Sequence, residues 1–263
     1  MFANLGTLLR YRGLIQSLVA RELKARYRGS VLGFIWSFVN PLLLLSIYSF
    51  VFTTVMRNDT PQTRPYAVFM FCGLLPWTWF SAALTDAASS LISGGNLIKK
   101  VLFPAEVLPI VSVLSNMVHF GLGLIVLALF MIGFRHFPNP AVLPWFPVVV
   151  AVQLIFTLGL ALALAALSVH FRDIRDLLAN VLTLWFFATP IIYPYFMPTV
   201  ERFLWLFRLN PFYHLAVSYQ EILFFGGFGH ARSLLLLGAL SIVLFLCCYW
   251  LFDRLRDSFA ETV

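Results

Sequence analysis

The sequence predicts an all-helical integral membrane protein with about six spanning helices, and three observations carry that prediction. First, 61% of the 263 residues are hydrophobic and only 11% are charged, with a mean hydropathy of +0.90. A soluble domain needs about a quarter of its residues charged to cover its surface. Second, the apolar residues fall into runs of roughly 20 or more, the length a helix needs to cross the hydrocarbon core. Third, these runs do not alternate apolar and polar residues, as barrel strands would. Backbone groups in lipid must be satisfied within the segment, so the runs are helices.

The runs are Val31 to Met56, Tyr66 to Ile92, Leu108 to Phe134, Val142 to Val169, Leu177 to Phe196 and Leu234 to Phe252. Charges, Pro or Gly bound them, as at Arg57-Asn58-Asp59, Gly94-Gly95-Asn96, Arg135-His136 and Arg172-Asp173. Together they use nearly the whole chain, so residues 1–263 form one transmembrane domain. Tyr66, Trp145, Tyr193, Tyr195 and Trp250 sit near run ends, at the level amphipathic rings prefer. If the N-terminus is cytoplasmic, twelve of the 18 Lys and Arg residues fall on that side and six on the other. The positive-inside rule then puts both termini in the cytoplasm.

Two stretches fall outside the six runs. Within residues 1–30, Leu8, Tyr11, Ile15, Leu18 and Val19 share one helical face, and Arg10, Arg21, Lys24 and Arg28 share the opposite one. Such a basic amphipathic helix lies in the membrane interface. It serves as a lipid anchor, as a docking surface for a cytoplasmic protein, or as both. Residues 197–230 form an outer segment. Its stretch Pro211 to Gly229 is apolar, but His214, Gln220 and Glu221 are expensive at the bilayer centre. A re-entrant pair of short outer helices fits better than a seventh span, which would move the C-terminus outside.

The chain offers little for chemistry. Its three lysines, Lys24, Lys99 and Lys100, all follow residues other than glycine, so the phosphate loop G-x-x-x-x-G-K is absent. Asp86 is the one acid inside a span, and local pairing is its expected role. His119 and His170 read as satisfied core or interface histidines, and Gly121 and Gly123 as sites of close helix approach. Cys72, Cys247 and Cys248 lack metal or redox spacing and read as small core residues. No catalytic, cofactor or metal site is expected, and no nucleic-acid partner. Two cytoplasmic connections mix charges with apolar side chains, residues 94–104 with Lys99-Lys100, and residues 170–177 with Arg172, Asp173, Arg175 and Asp176. Arg172 and Asp176 stand four apart, which suits a short surface helix. On composition alone these are topology signals or contacts to a partner.

Four stretches taken in order resemble the permease subunit of ATP-binding-cassette exporters for O-antigen, capsular polysaccharide and teichoic acid. They are residues 21–33 (RELKARYRGSVLG) leading to Trp36 and Asn40-Pro41; Gly73-Leu74-Leu75-Pro76-Trp77; Asn96-Leu97-Ile98-Lys99-Lys100 with Phe103-Pro104; and Phe171-Arg172-Asp173-Ile174-Arg175 followed by Trp185-Phe186 and Thr189-Pro190-Ile191-Ile192-Tyr193-Pro194. The resemblance implies an interface helix, six spans and short outer gating helices before the last span. It implies a homodimer in the bacterial inner membrane, joined to two copies of a separate ATPase that binds the ATP, and a lipid-linked polysaccharide as cargo. On that resemblance Lys99, Lys100, Arg172, Asp173, Arg175 and Asp176 contact the ATPase.

An aromatic stripe completes the expectations. Phe34, Phe38, Leu45, Tyr48 and Phe52 share one face of the first span, and Phe186 and Tyr193 mark a similar face on the fifth. Rings give sugar C–H faces weak, repeated contacts that let a polymer slide. Phe34, Phe38, Tyr48, Phe52, Phe186 and Tyr193 are therefore the expected channel lining, against the plainer alternative of packing or lipid contact. Two rival readings remain: an integral-membrane enzyme acting on lipid-linked sugars, and a permease for a small amphipathic substrate.

Overall fold

The computed structural model describes residues 11–26, 28–30, 33–55, 61–95, 104–171, 173–256 and 259. Its elements are α1 (Arg12–Arg26), α2 (Trp36–Ser49), α3 (Tyr66–Ser93), α4 (Val107–Gly133), α5 (Phe146–His170) and α6 (Ile174–Phe187). They continue with α7 (Pro198–Arg202), α8 (Leu204–Leu209), α9 (Pro211–Gln220) and α10 (Ala231–Leu255). No strand occurs among the described residues. The all-helical membrane class read from composition is the fold observed.

Among the described residues four helices are long and apolar enough to cross a membrane: α3, α4, α5 with its leading turn from Leu143, and α10. The described part of the first apolar run is built in three pieces, a 3-10 turn over Gly33–Ile35, α2 and a wider π-helical turn over Phe50–Val55. The fifth run behaves differently from its hydropathy. Its helix begins at Ile174 and stops at Phe187, well short of Phe196. Pro190 and Pro194 cannot donate to a helix, and Thr189 turns its hydroxyl back onto the Trp185 carbonyl at 2.8 Å. The freed backbone is satisfied locally, with Tyr66 donating to the Ile192 carbonyl at 2.6 Å and Gln220 Nε2 to the Pro190 carbonyl at 2.9 Å.

Helix α3 is the centre of the bundle. It packs against α2, α4, α5, α6 and α9. Accordingly its side chains are buried on every side from Tyr66 through Trp77, and from there to Leu91 only a strip through Thr78, Ser81, Ala82, Thr85, Asp86, Ser89 and Ser90 is left partly or fully open. A helix that is apolar all round is buried all round. Its tryptophans find polar partners or rings: Trp79 Nε1 donates to the Val113 carbonyl at 3.2 Å and its ring stacks on Phe120 at 5.0 Å. Gly123 of α4 sits against Leu75, so the close approach expected of the Gly121–Gly123 pair is made at Gly123 alone. Helices α5 and α10 form a second tight pair, where a Cβ at Gly159 would stand 3.0 Å from the Phe245 Cα.

Residues 197–230 hold three short helices, α7 to α9, and a π-helical turn over Glu221–Phe225. The stretch expected to fold as a pair of helices is one helix running into that turn. It is not a surface feature. Phe212, Tyr213 and residues Leu215 to Phe224 are buried, and α9 packs against α3, α5 and α10. The π turn ends at Gly226, whose φ of +72° is the left-handed conformation that glycine adopts without a Cβ penalty.

Candidate functional site

The polar side chains that sequence spacing kept apart come together at the end of the bundle where α1 meets α3 and α4. Helix α1 lays Leu18 onto Val107 and Val111 of α4, with Tyr11, Leu14, Ile15 and Val19 around them. The apolar face read as lipid-directed therefore also packs on protein. Leu8 lies outside the described residues. From the last turn of α1, Arg26 reaches 60 residues along the chain to Asp86 of α3, with Nη2 to Oδ2 at 2.6 Å. Asn116 of α4 closes the network. Its Nδ2 donates to Asp86 at 2.7 Å and to the Ser112 carbonyl at 2.9 Å, and its Oδ1 accepts from Arg26 at 3.3 Å. Asp86 thus pairs as expected, but across three helices rather than locally. Both charges stay about one-third exposed, which limits what the pair adds to stability. Its consequence is mechanical: α1 is tied to the two helices it rests on. Nearby, the buried Glu106 at the start of α4 faces Arg256 beyond α10 at 3.9 Å, which brings the other terminus to the same end.

Beside this network lies a cavity of about 510 Å³ between α2, α3 and α4. Arg26, Ser30, Ser37, Asn40, Asn116 and His119 supply its polar groups, and Trp36, Leu44, Phe71, Leu74 and Leu75 are among its apolar ones. Sequence reading missed this cavity. Asn40 and Asn116 are single amides within apolar runs, and that rarity in a span was the available signal.

A second polar cluster marks the opposite end. Glu221, 5% exposed, accepts from the His230 backbone N–H at 3.1 Å, contacts His230 Nδ1 at 2.7 Å and accepts from the Tyr195 hydroxyl at 3.3 Å. Asn139 Nδ2 donates to the Gly226 carbonyl at 2.9 Å, and His136 Nε2 lies 2.9 Å from the Phe224 carbonyl. These contacts pin the π turn to the α4–α5 connection and to the start of α10. Asn210 does the same for α9. Its Oδ1 accepts from Trp185 Nε1 at 2.6 Å and from the Phe212 backbone N–H at 2.9 Å. Its Nδ2 donates to the Thr189 hydroxyl at 2.9 Å and the Ala188 carbonyl at 3.1 Å.

The expected ATPase contacts are partly placed. Asp173, Arg175 and Asp176 are exposed at the start of α6, between the exposed apolar side chains of Phe171 and Leu177. Lys99, Lys100 and Arg172 lie outside the described residues. For the expected channel rings, the side chains of Phe34 and Phe52 likewise lie outside the described part. Phe38, Tyr48 and Phe186 are partly buried against the chain's own core, and Leu45 between them is 1% exposed. Phe186 meets the Trp77 ring at 5.7 Å, and the Tyr193 hydroxyl donates to the Phe187 carbonyl at 2.8 Å. The outward face of α2 and the start of its π turn instead carries Leu43, Ile47 and Phe50, and that of α6 carries Leu177, Val181 and Leu184. Among the described residues no group of three His, Cys, Asp or Glu side chains could hold a metal ion.

The chain belongs to the ABC-2 type transporter family, whose membrane-domain model matches residues 13–224, from α1 through the π turn before α10. It is similar to an O-antigen export system permease protein RfbA of Myxococcus xanthus, 45% identical over 260 residues that make up 97% of each chain. A protein of the same name from Klebsiella pneumoniae is 34% identical, over 98% of this chain and 96% of that one. More distant is the polysialic acid transport protein KpsM of Escherichia coli, 20% identical over 87% of this chain and 88% of that relative.

Proposed function

We propose that the chain is the membrane-spanning permease of an ATP-driven exporter that carries a lipid-linked, O-antigen-like polysaccharide outward across the bacterial inner membrane. The observation that carries this is the 45% identity, held over 97% of both chains, with a protein named as an O-antigen export permease. The sequence has no phosphate loop of its own, so the ATP is bound and hydrolysed by a separate ATPase. The start of α6 suits that partner, because it exposes Phe171 and Leu177 among Asp173, Arg175 and Asp176. Apolar anchors ringed by charge are the ordinary make-up of a protein interface. The stripes Leu43-Ile47-Phe50 and Leu177-Val181-Leu184 are large apolar faces that support pairing with a second copy.

The test is to purify the chain with its partner ATPase and measure ATP hydrolysis with added lipid-linked glycans. Hydrolysis stimulated by a lipid-linked polysaccharide, and by neither a bare sugar nor a small amphipathic drug, is the expected result. Failure of the two proteins to copurify, or equal stimulation by the drug, refutes the reading. In the same preparation, charge reversal at Lys99, Lys100 and Arg175 is expected to separate hydrolysis from transport while insertion stays normal.

Orientation has its own test. Both termini are cytoplasmic, from the twelve-to-six division of Lys and Arg. In a cysteine-free background, a single cysteine at the exposed Asn139 is expected to react with an impermeant thiol reagent in intact cells, and one at the exposed Asp176 only after lysis. The reverse pattern would invert the topology.

A further inference from the structure

The cavity beside Arg26 changes character with depth. Helix α2 runs away from the α1 end and α3 runs back toward it, so the lining can be ordered along the bundle. Arg26, Ser30, Ser37 and Asn116 mark the α1 end, and Asn40, Thr78 and His119 come next. Leu44, Leu74, Leu75 and Phe71 line the far part. From Ala82 to Phe71 the α3 wall is about 16 Å long at ~1.5 Å per residue. That is roughly half of a ~30 Å hydrocarbon core. The cavity ends at Phe71, and Val68, Phe69 and Met70 on the next turn of α3 are not part of its lining. A blind cleft with a polar mouth at one interface and an apolar end near the midplane has the outline of one lipid of one leaflet. It does not have the outline of a path across the membrane.

The mouth favours an anionic headgroup. Of the five N–H donors of a guanidinium, the bonds to Asp86 and Asn116 use two of the Arg26 set, while Arg26 also borders the cleft. Ser30 adds a hydroxyl at the same mouth and Asn40 an amide about one turn further in, and both are exposed. Lys24 and Arg28 lie within two residues of Arg26, and each basic side chain near an anionic surface contributes about 1 kcal/mol of attraction.

We propose that this cleft is a binding site for a resident anionic glycerophospholipid, with its phosphate at Arg26, Ser30 and Asn40 and one acyl chain along Leu44, Leu74 and Leu75 to Phe71. The lipid fills the space between α2 and α3 and fastens the end of α1 to the bundle. The site rests on the cytoplasmic placement of α1, and it does not depend on the identity of the cargo. Because the cleft is blind, the lipid stays with the protein and is not exported.

The experiment uses the permease with its ATPase, reconstituted in phosphatidylcholine vesicles that contain a trace of phosphatidylglycerol bearing a diazirine on one acyl chain. After photolysis, adducts are mapped by peptide mass spectrometry. Adducts concentrated on the α2 and α3 peptides holding Leu44, Leu74 and Leu75 are expected, above those on the exposed Leu235, Leu236 and Val243 of α10. Arg26→Gln is expected to lower cleft adducts about fivefold, the factor that matches ~1 kcal/mol. Leu44→Trp, at the partly exposed edge, is expected to abolish them. Labelling of α10 serves as the control for folding and should be unchanged in both variants. Equal labelling by a phosphatidylcholine probe would remove the headgroup assignment and with it the proposal. Loss of the adducts on adding equimolar polyprenyl phosphate would make the cleft a cargo-carrier site instead. Labelling no denser than on α10 would mean the cleft holds no lipid. None of these results bears on whether a polysaccharide stimulates hydrolysis, so the two readings fail separately.

Discussion

Replacing Asp86 by Ala is expected to cut polysaccharide export about tenfold while leaving the amount of inserted protein within about a factor of two. The two effects part company because they draw on different properties of the same contact. As a source of stability the Arg26–Asp86 pair is modest, since both side chains are about one-third exposed and such pairs contribute about 0.2–1 kcal/mol. Asn116 also keeps its bond to the Ser112 carbonyl when Asp86 is gone. As a mechanical link, however, the pair is the charged tie between the end of α1 and the helix at the centre of the bundle. A coupling free energy of about 1–3 kcal/mol between sites corresponds to effects of roughly 5–150-fold, so about tenfold sits inside that range. Arg26→Ala should act alike, and the double variant should be no worse than either single one, as for two residues serving one interaction. Exchanging the charges, Arg26→Asp with Asp86→Arg, should recover part of the export. Surface polysaccharide, ATPase rate and membrane abundance are the measurements. Additive losses, or export that falls only as abundance falls, would reduce the network to a packing detail.

That network shows where sequence reading stops. The long helices were legible because runs of apolar residues between charges have one solution in a bilayer. Yet 60 residues separate Arg26 from Asp86, and no local spacing announces that contact. It exists only once α3 returns toward the α1 end. Periodicity likewise placed Phe38, Leu45 and Tyr48 on one face of α2, and the structure does put them together. What periodicity lacks is the side on which the core lies. Here Leu45 is buried while Phe50 is 61% exposed, so the stripe leans on the chain's own core. The early stop of α6 was written in Pro190 and Pro194, but hydropathy averages over them. Buried depth was the hardest feature to read. His214, Gln220 and Glu221 argued against a span over Pro211 to Gly229, and α9 with its turn runs only over residues 211–225. The same residues gave no hint that Tyr213, Tyr219 and Gln220 would be almost fully buried against α3. The broken end of α6 offers a free carbonyl to one of these groups, Pro190 accepting from Gln220 Nε2, while the Tyr219 hydroxyl and Gln220 Oε1 are buried with no hydrogen-bond partner.

Asn210→Ala is expected to be among the most destabilising single substitutions in the half of the bundle away from α1, at about 3 kcal/mol. The residue was visible as an Asn-Pro start signal, with a capping side chain before a proline at the first helical position. What the sequence concealed is that the same amide holds a second element. One side chain caps α9 through the Phe212 N–H and grips the end of α6 through Trp185, Ala188 and Thr189. Loss of a cap costs ~1 kcal/mol, and each further hydrogen bond lost costs about 1 kcal/mol, more where a partner is left buried and unsatisfied. Thr189 is fully buried, and the Trp185 indole N–H loses its 2.6 Å acceptor. Asn210→Asp separates the two roles. A carboxylate still accepts from Phe212 and Trp185, but it cannot donate to Ala188 and Thr189. Its cost should fall between that of Ala and wild type, with the α9 start intact and the end of α6 loosened. Thermal unfolding of the detergent-solubilised protein, followed by tryptophan fluorescence, gives the ranking. Accessibility of a cysteine placed at Phe186, partly buried in the last turn of α6, reports on that end directly. If Asp proves as damaging as Ala and leaves that cysteine as protected as in wild type, Asn210 is a cap alone, and the grip on α6 comes from the surrounding rings.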